Sequence, residues 1–127
     1  MAGWQSYIDV HLVGTGQVRK AAICGLDGSP WAKSGNFNIQ PAEVKKLISG
    51  FTTPDPLYQH GLFLEGTKYI TTAVEDYRIR AKLGSTGLHV VKTNQAVIIC
   101  HYDEAIQPGN CAAVCEKLAD YLKSTGY

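Results

Sequence analysis

The stretch from residue 62 to residue 102 constrains the fold most, because it alternates short apolar segments with turn residues. Consecutive strands joined by such short turns form an antiparallel sheet. The alternation predicts five strands, at 62–64, 68–74, 77–82, 88–93 and 96–102. The last of them is almost entirely apolar, which is typical of a central strand covered on both faces.

Two further strands precede this stretch. Residues 21–26 form a small apolar segment that ends at Asp27-Gly28, a dipeptide typical of hairpin turns. The next strand begins near Pro30 and carries Trp31. Together with the later strands they predict an antiparallel sheet of about seven strands.

Apolar residues recur at helical spacing in three other segments. The first begins near Trp4 and should end at Gly14-Thr15-Gly16. The second begins at Pro41, which suits the first position of a helix, and the third has Asn110 as its expected N-cap. A sheet with helices packed against it is an α+β fold.

Length and charge exclude several classes of protein. A chain of 127 residues is the size of one compact domain, so we expect a single domain spanning 1–127. The net charge is +1, whereas proteins that wrap duplex nucleic acid carry a strong basic excess, so no nucleic-acid partner is expected. No apolar run approaches the ~20 residues of a spanning helix, and no secretory signal is evident, which favours a cytoplasmic location.

The four cysteines raise the question of a metal site. Cys111 and Cys115 are four residues apart and could place two zinc ligands on one helix face, with Cys100-His101 completing the site. Two-residue cysteine spacings and paired histidine ligands are both absent, however. We therefore expect no metal, and reduced, buried thiols at these positions and at Cys24.

No catalytic constellation is evident. The sequence has neither a Gly-x-Ser-x-Gly elbow nor a phosphate-binding loop. Cys100 and His101 are adjacent on a predicted strand, so they should point to opposite faces of the sheet. Glu75-Asp76 lies at a turn and is more typical of a solvated charge pair. We expect neither an enzyme nor a cofactor.

Large aromatic residues stand at both ends of the chain. Trp4 and Tyr7 share one helix face, and Tyr121 and Tyr127 lie in and just beyond the last helix. If the two terminal helices pack side by side, these rings converge with Trp31. Such a groove suits proline-rich peptides, because their extended helix is preformed and their carbonyls accept hydrogen bonds from indole and phenol groups. Alternatively, Trp4 and Tyr7 only anchor the first helix on the sheet.

Several motifs carry a resemblance to a known family. Residues 2–9, Ala-Gly-Trp-Gln-Ser-Tyr-Ile-Asp, resemble the N-terminal signature of profilins. Further matches follow at 12–16, 21–28, 31–32, 91–93, 106–109 and 116–122. The sequence is most similar to the short profilins of protists. The resemblance implies a central antiparallel sheet, with the N- and C-terminal helices packed together on one face and smaller helices on the other.

The resemblance also implies a function. Profilins bind monomeric actin, proline-rich segments of actin regulators and anionic phosphoinositides at the membrane surface, and they regulate actin polymerisation. By resemblance the protein is a monomer associated with the cytoskeleton. The implied poly-proline-binding residues are Trp4, Tyr7, Trp31, Tyr121 and Tyr127. The implied actin-binding residues are Lys68, Lys82, Gln107, Gly109, Ala113 and Lys117. The implied phosphoinositide-binding residues are Arg78, Arg80 and Lys82.

The sequence departs from the family pattern at two places. Residues 70–74 lack an arginine that relatives commonly carry there, and the segment Arg80-Ala81-Lys82-Leu83-Gly84 has one lysine where many protist relatives have a pair. Both changes bear on the binding of actin and lipid. They leave open an alternative function as a proline-rich-peptide adaptor with weakened actin binding.

Overall fold

The computed structural model describes residues 3–127, so Met1 and Ala2, with which the predicted domain and the N-terminal signature begin, lie outside the described residues. An N-terminal helical segment begins with α1 (Gly3–Ser6) and continues to Thr15. The other helices are α2 (Pro41–Ser49), α3 (Asp55–His60) and α4 (Pro108–Ser124). The strands are β1 (Lys20–Gly25), β2 (Pro30–Lys33), β3 (Leu62–Leu64), β4 (Thr67–Val74), β5 (Arg78–Leu83), β6 (Thr86–Lys92) and β7 (Ala96–Tyr102).

The strands form one seven-stranded antiparallel sheet in the order β2-β1-β7-β6-β5-β4-β3. The predicted α+β fold with about seven strands is therefore confirmed. The strand with the longest apolar run, β7, has the predicted bounds and lies between β1 and β6. Its residues 96–100 are completely buried, as expected for a strand that is covered on both faces.

A separate hydrophobic core lies on each face of the sheet. On one face Ile8 and Leu12 of the N-terminal segment pack with Cys115 and Leu118 of α4 against residues such as Ile98. On the other face the contributions of α2 and α3 include Val44, Leu47 and Leu57. The terminal helices therefore share one face and the smaller helices the other, as the family resemblance predicted.

The N-terminal helical segment departs from the simple helix that its spacing predicted. After α1 it widens into a π-helix at Tyr7–Leu12 and then tightens into a 3₁₀ turn at Val13–Thr15. The predicted end at Gly14-Thr15-Gly16 is confirmed, because Gly16 closes the segment with a φ of +78°. Gly14 lies where a Cβ atom would collide with the carbonyl of Asp9.

The last helix begins earlier than predicted. Its N-cap is Gln107 and Pro108 occupies the first helical position, whereas Asn110 lies within the first turn. Proline suits that position because the amide hydrogen it lacks would have no partner within the helix. The amide of Asn110 donates to the carbonyl of Gln107 at 3.0 Å. Throughout residues 3–127, no helix combines the length and the apolar character required to cross a bilayer.

Candidate functional site

The five aromatic residues predicted to converge do so, and together they form what we call the aromatic surface. Trp4 is its centre, with ring centroids 4.7 Å from Trp31, 4.9 Å from Tyr127 and 5.6 Å from Tyr7. Tyr7 extends it to Tyr121, at 6.1 Å. These separations lie in the range of favourable aromatic pairs, so the rings support one another in place.

The side of the aromatic surface formed by the N-terminal segment is tied to the sheet. The Gln5 side chain, next to Trp4, donates a hydrogen bond of 3.1 Å to the carbonyl of Lys33 in β2. Trp31 is on that same strand, two residues earlier. The bond therefore fixes the helix that carries one tryptophan against the strand that carries the other.

The opposite side of the surface is held by backbone bonds at the last residue. The carbonyl of Tyr127 accepts hydrogen bonds from the amide of Gln95 and, at 2.8 Å, from the Thr93 hydroxyl. The Gln95 side chain also donates to the carbonyl of Gly126 at 2.8 Å. Chain ends usually fray. These bonds to the turn between β6 and β7 explain why the Tyr127 ring is ordered against Trp4.

The aromatic surface is amphipathic. Tyr121 is 52% exposed and Tyr127 is 41% exposed, so their rings are open to a ligand. Burial raises the pKa of Tyr7, and the neighbouring Tyr121 and Tyr127 raise it further. Tyr7 therefore remains a neutral phenol at physiological pH and can donate a hydrogen bond. Flat apolar faces beside such donors match the rings and free carbonyls of proline.

A second surface is formed where α4 leaves the sheet uncovered, on the same face as the terminal helices. We call it the uncovered sheet face, and it consists of alternate, exposed residues of β4 and β5: Lys68, Ile70, Thr72, Arg80 and Lys82. Ile70 is 67% exposed and pairs with Lys82 across the two strands. The predicted actin residues Lys68 and Lys82 therefore lie close together, around an apolar side chain.

A partly buried charge network joins this face to α4. Arg78 donates to Glu116 at 2.7 Å and to Glu75 at 3.0 Å, and the carboxylate of Glu116 raises the pKa of Arg78 although burial opposes it. The other oxygen of Glu116 lies 2.9 Å from Nε2 of His89, which is almost completely buried. Of the three predicted phosphoinositide residues, Arg78 is thus paired with carboxylates, whereas Arg80 and Lys82 are exposed.

Sequence reasoning missed His89 and Glu116. They lie 27 residues apart, and only the packing of α4 on β6 brings them together. Burial lowers the pKa of His89, and the nearby Arg80 and Arg78 lower it too, while Glu116 acts in the opposite direction. His89 is therefore neutral at pH 7, and the Glu116 carboxylate is shared between an imidazole and a guanidinium. No local motif signals such a contact.

The predicted actin residues of α4 are divided between two places. Gln107, Gly109 and Ala113 are exposed along its first turns. Lys117 is also exposed, but it lies with Tyr7 and Tyr121 along the line where α4 meets the N-terminal segment. The structure thus groups Lys117 with the aromatic surface rather than with the lysines of β4 and β5.

That line is a groove of about 550 Å³, which we call the side groove. Its lining residues are Tyr7, Val10, His11, Thr15, Val114, Lys117, Leu118 and Tyr121. Because it shares Tyr7 and Tyr121 with the aromatic surface, it continues that surface along the helices. Sequence reasoning assigned no binding role to Val10 or His11.

The four cysteines are free, buried thiols. Burial raises the pKa of Cys24 to about 11, and it raises the pKa of Cys100 well above its usual value. A hydrogen bond that the Cys111 thiol donates to Cys100, together with burial, raises the pKa of Cys111. Within residues 3–127 no three histidine, cysteine or acidic side chains come together in a way that could hold a metal ion.

The comparisons with known proteins agree with this geometry. The sequence model of the profilin family matches residues 2–127. Profilin-1A of Acanthamoeba castellanii is 47% identical over 98% of both chains. The solved structure of Acanthamoeba castellanii profilin IA superposes with a TM-score of 0.96 at 46% identity, covering 98% of this chain and all of the other.

A more distant structure shares the fold. Mouse profilin IIa, solved in complex with a double repeat from the FH1 domain of mDia1, has a TM-score of 0.83 at 22% identity. The alignment covers 99% of this chain and all of the mouse chain. From the family match and the close relatives, this chain belongs to the profilin family.

Proposed function

We propose that this profilin binds monomeric actin and proline-rich segments of actin regulators, and that it regulates actin polymerisation by binding rather than by catalysis. We further propose that it acts as a monomer in the cytoplasm, at the actin cytoskeleton. The close relatives that match nearly the whole chain are profilins, and actin binding is the known role of that family.

The aromatic surface is the observation that carries the proposal for proline-rich ligands. Five rings, each with its centroid about 6 Å or less from at least one other, are held by two tied chain ends and form a preorganised platform. A polyproline helix is equally preformed, so little conformational entropy is lost when the two meet. We assign Trp4, Tyr7, Trp31, Tyr121 and Tyr127 to this site. Mouse profilin IIa, in complex with an FH1 repeat, suggests which peptide to use as a probe.

We assign actin to the uncovered sheet face and the exposed start of α4. Lys68 and Lys82 surround the exposed Ile70, and this combination of apolar centre and charged surroundings is typical of protein interfaces. Gln107, Gly109, Ala113 and Lys117 complete the proposed set. The lysines would meet carboxylates on actin, which gives specificity and a faster association rate.

We also propose that the same face attracts anionic phosphoinositides. Arg80 and Lys82 alternate along β5 and are exposed, so both cations can approach a phosphate. Arg78 contributes less, because its two terminal nitrogens are already bonded to Glu75, Glu116 and Tyr77. Because Lys82 belongs to both sets, lipid headgroups and actin would compete.

A titration of tryptophan fluorescence with poly-L-proline tests the first assignment, because Trp4 and Trp31 both lie in the proposed site. We expect saturable binding. A pyrene-actin polymerisation assay then tests the second assignment, and we expect the protein to lower the rate of spontaneous nucleation. Peptide binding without any effect on actin would favour the alternative function, an adaptor for proline-rich peptides. Absence of both would contradict the proposal.

A further inference from the structure

The side groove continues the aromatic surface beyond the five rings that the proposed function uses. It begins at Tyr7 and Tyr121, passes His11 and Lys117, and ends near Thr15 and Val114. A ligand that lies across the aromatic surface and extends past Tyr121 therefore enters the groove. Val10, Lys117 and Tyr121 in its lining are exposed, so an extended chain can reach it from solvent.

The middle of the side groove is apolar. Val10 is 60% exposed, which is unusual for a valine on a helix that also packs against a core, and Leu118 of α4 lines the groove with it. These two side chains offer one apolar contact site next to the rings. Val114 also lines the groove but lies beyond Lys117 along α4. A leucine-sized side chain would cover Val10 and remove its apolar surface from water.

The path of such a ligand ends at a basic side chain, Lys117, one helical turn from Tyr121. Lys117 is exposed and makes no ion pair with any of residues 3–127. The His11 ring lies 5.9 Å from that of Tyr7 and adds a hydrogen-bonding nitrogen. None of the described residues that line the groove is acidic, and Asp9 and Asp120 are exposed on its two helices without lining it. This end is therefore complementary to a carboxylate.

We infer that the side groove binds the flank of a proline-rich segment, with an apolar residue on Val10 and Leu118 and an acidic residue at Lys117. The inference rests on the proposed function, because the proline segment must first occupy the aromatic surface. Since the proposed actin set also includes Lys117, the acidic flank and actin would compete for this side chain. The inference adds a specificity. The protein should prefer a proline tract that has an apolar residue next to it and an acidic residue one position further out, at one of its two ends, over a bare tract.

The spacing agrees with this order of residues. Lys117 precedes Tyr121 by four residues, which is about one helical turn, or ~5.4 Å along α4. A polyproline helix advances ~3.1 Å per residue. An acidic residue two positions beyond the proline that contacts Tyr121 therefore reaches Lys117, and the residue between them lies over the apolar contact site.

The test compares capped peptides that differ only in the flank. A ten-proline core is compared with the same core carrying Leu-Glu or Leu-Gln at its C-terminal end, and with the mirrored flanks Glu-Leu or Gln-Leu at its N-terminal end. The readout is tryptophan fluorescence. At low salt we expect the glutamate peptide to bind roughly two- to fivefold more tightly than the glutamine peptide at one of the two ends, as for an exposed ion pair.

Two variants separate the groove from general electrostatics. In Lys117→Gln the preference for glutamate over glutamine should disappear. In Lys46→Gln, which removes an exposed lysine on α2 at the other face of the sheet, the preference should remain. The preference of the unmodified protein for glutamate should also shrink at high salt. Val10→Ser should reduce the gain in affinity that the leucine of the flank gives over the bare proline core.

The outcomes distinguish this inference from the proposed function. If the bare core does not bind, the aromatic surface is not a poly-proline site and both fail. If the core binds but glutamate and glutamine peptides have equal affinities at both ends, the proposed function stands and the basic end of the groove is not used. A preference for glutamate that survives in Lys117→Gln would also overturn the inference.

Discussion

The aromatic surface and the uncovered sheet face are built from opposite kinds of side chain. In the first, Trp4 is held between Trp31 and Tyr127 at centroid distances of 4.7 and 4.9 Å. In the second, Lys68 and Lys82 extend from neighbouring strands into solvent. The rings of the first surface hold one another in place, whereas the two lysines of the second are exposed side chains without a partner ring among the described residues.

The difference has an energetic meaning. A fixed ring loses little freedom on binding, whereas an exposed lysine gives up about 2 kcal/mol of rotamer entropy if it becomes immobile. Charges on an exposed face also act mainly on association rate and are screened by salt. We therefore expect a few large, salt-insensitive contributions on the aromatic surface, and several small, salt-sensitive contributions on the uncovered sheet face.

The largest effect is expected for Trp4→Ala. Trp4 contacts three of the other four rings, so its removal opens the centre of the surface. Loss of a central aromatic anchor typically costs ~2 kcal/mol or more, about thirtyfold in affinity. Calorimetric titration with poly-L-proline measures this loss, and actin binding should remain nearly unchanged.

The matched control is Phe63→Ala, which removes an aromatic side chain that is 40% exposed on β3. It should leave poly-L-proline binding unaltered. Circular dichroism must show that both variants are folded. Normal peptide binding by folded Trp4→Ala would mean that the rings serve only to anchor the N-terminal helix.

A smaller and salt-dependent effect is expected for Lys82→Glu on the uncovered sheet face. Reversing this charge replaces attraction to an actin carboxylate with repulsion, and we expect a loss of ~1 kcal/mol, about fivefold, at low ionic strength. Actin affinity measured at two salt concentrations checks this. Lys45→Glu, on α2 at the other face of the sheet, is the control; an equal loss there would indicate a nonspecific effect of net charge.

The free energy of unfolding should depend on pH through His89, which contacts Glu116 between the two regions. Burial lowers the pKa of His89, so below about pH 6.5 the unfolded chain binds a proton more readily than the folded one. The free energy of unfolding should therefore fall as the pH drops from 7 to 5.5, by up to about 1 kcal/mol from this residue.

His89→Asn removes that contribution, and urea unfolding at several pH values measures the change. Part of the pH dependence should remain in this variant, because burial also lowers the pKa of His101. The comparison variant is His60→Asn at an exposed position. If His60→Asn and His89→Asn alter the pH dependence equally, burial of His89 is not its source.

The smallest effect is expected for Tyr121→Phe. The ring stays and only the hydroxyl is lost, so poly-L-proline affinity should fall by roughly two- to fivefold, the value of a single hydrogen bond. The same titration measures it. A loss as large as that of Trp4→Ala would show that hydrogen bonding, rather than ring contact, dominates this surface.

The sequence predicted those features that depend on interactions between residues near one another in the chain. The bounds of β7 followed from its apolar run, and the order of strands along the chain followed from the turn residues between them. The convergence of Trp4 with Tyr127 was predicted only on the condition that the terminal helices pack together. The family resemblance supplied that condition.

Contacts that depend on distant parts of the chain were not predictable in this way. The π-helix at Tyr7–Leu12 has no signature in helical spacing, since apolar residues three or four apart suit both windings. Pairing of Arg78 with Glu116 depends on which side of α4 faces β5. The position of Lys117 beside Tyr7 also depends on how α4 is rotated about its own axis, which short motifs do not specify.

The bonds that hold Tyr127 to the turn between β6 and β7 have a thermodynamic consequence. When the last turn of the chain frays, the bond from Thr93 opens and the ring leaves Trp4 together with it. Only molecules in which the Tyr127 ring is docked on Trp4 then bind the ligand. The apparent affinity is therefore the intrinsic affinity multiplied by the fraction of docked molecules. A bound peptide would in turn slow hydrogen exchange at the amide of Gln95, although Gln95 is not one of the residues assigned to the poly-proline site.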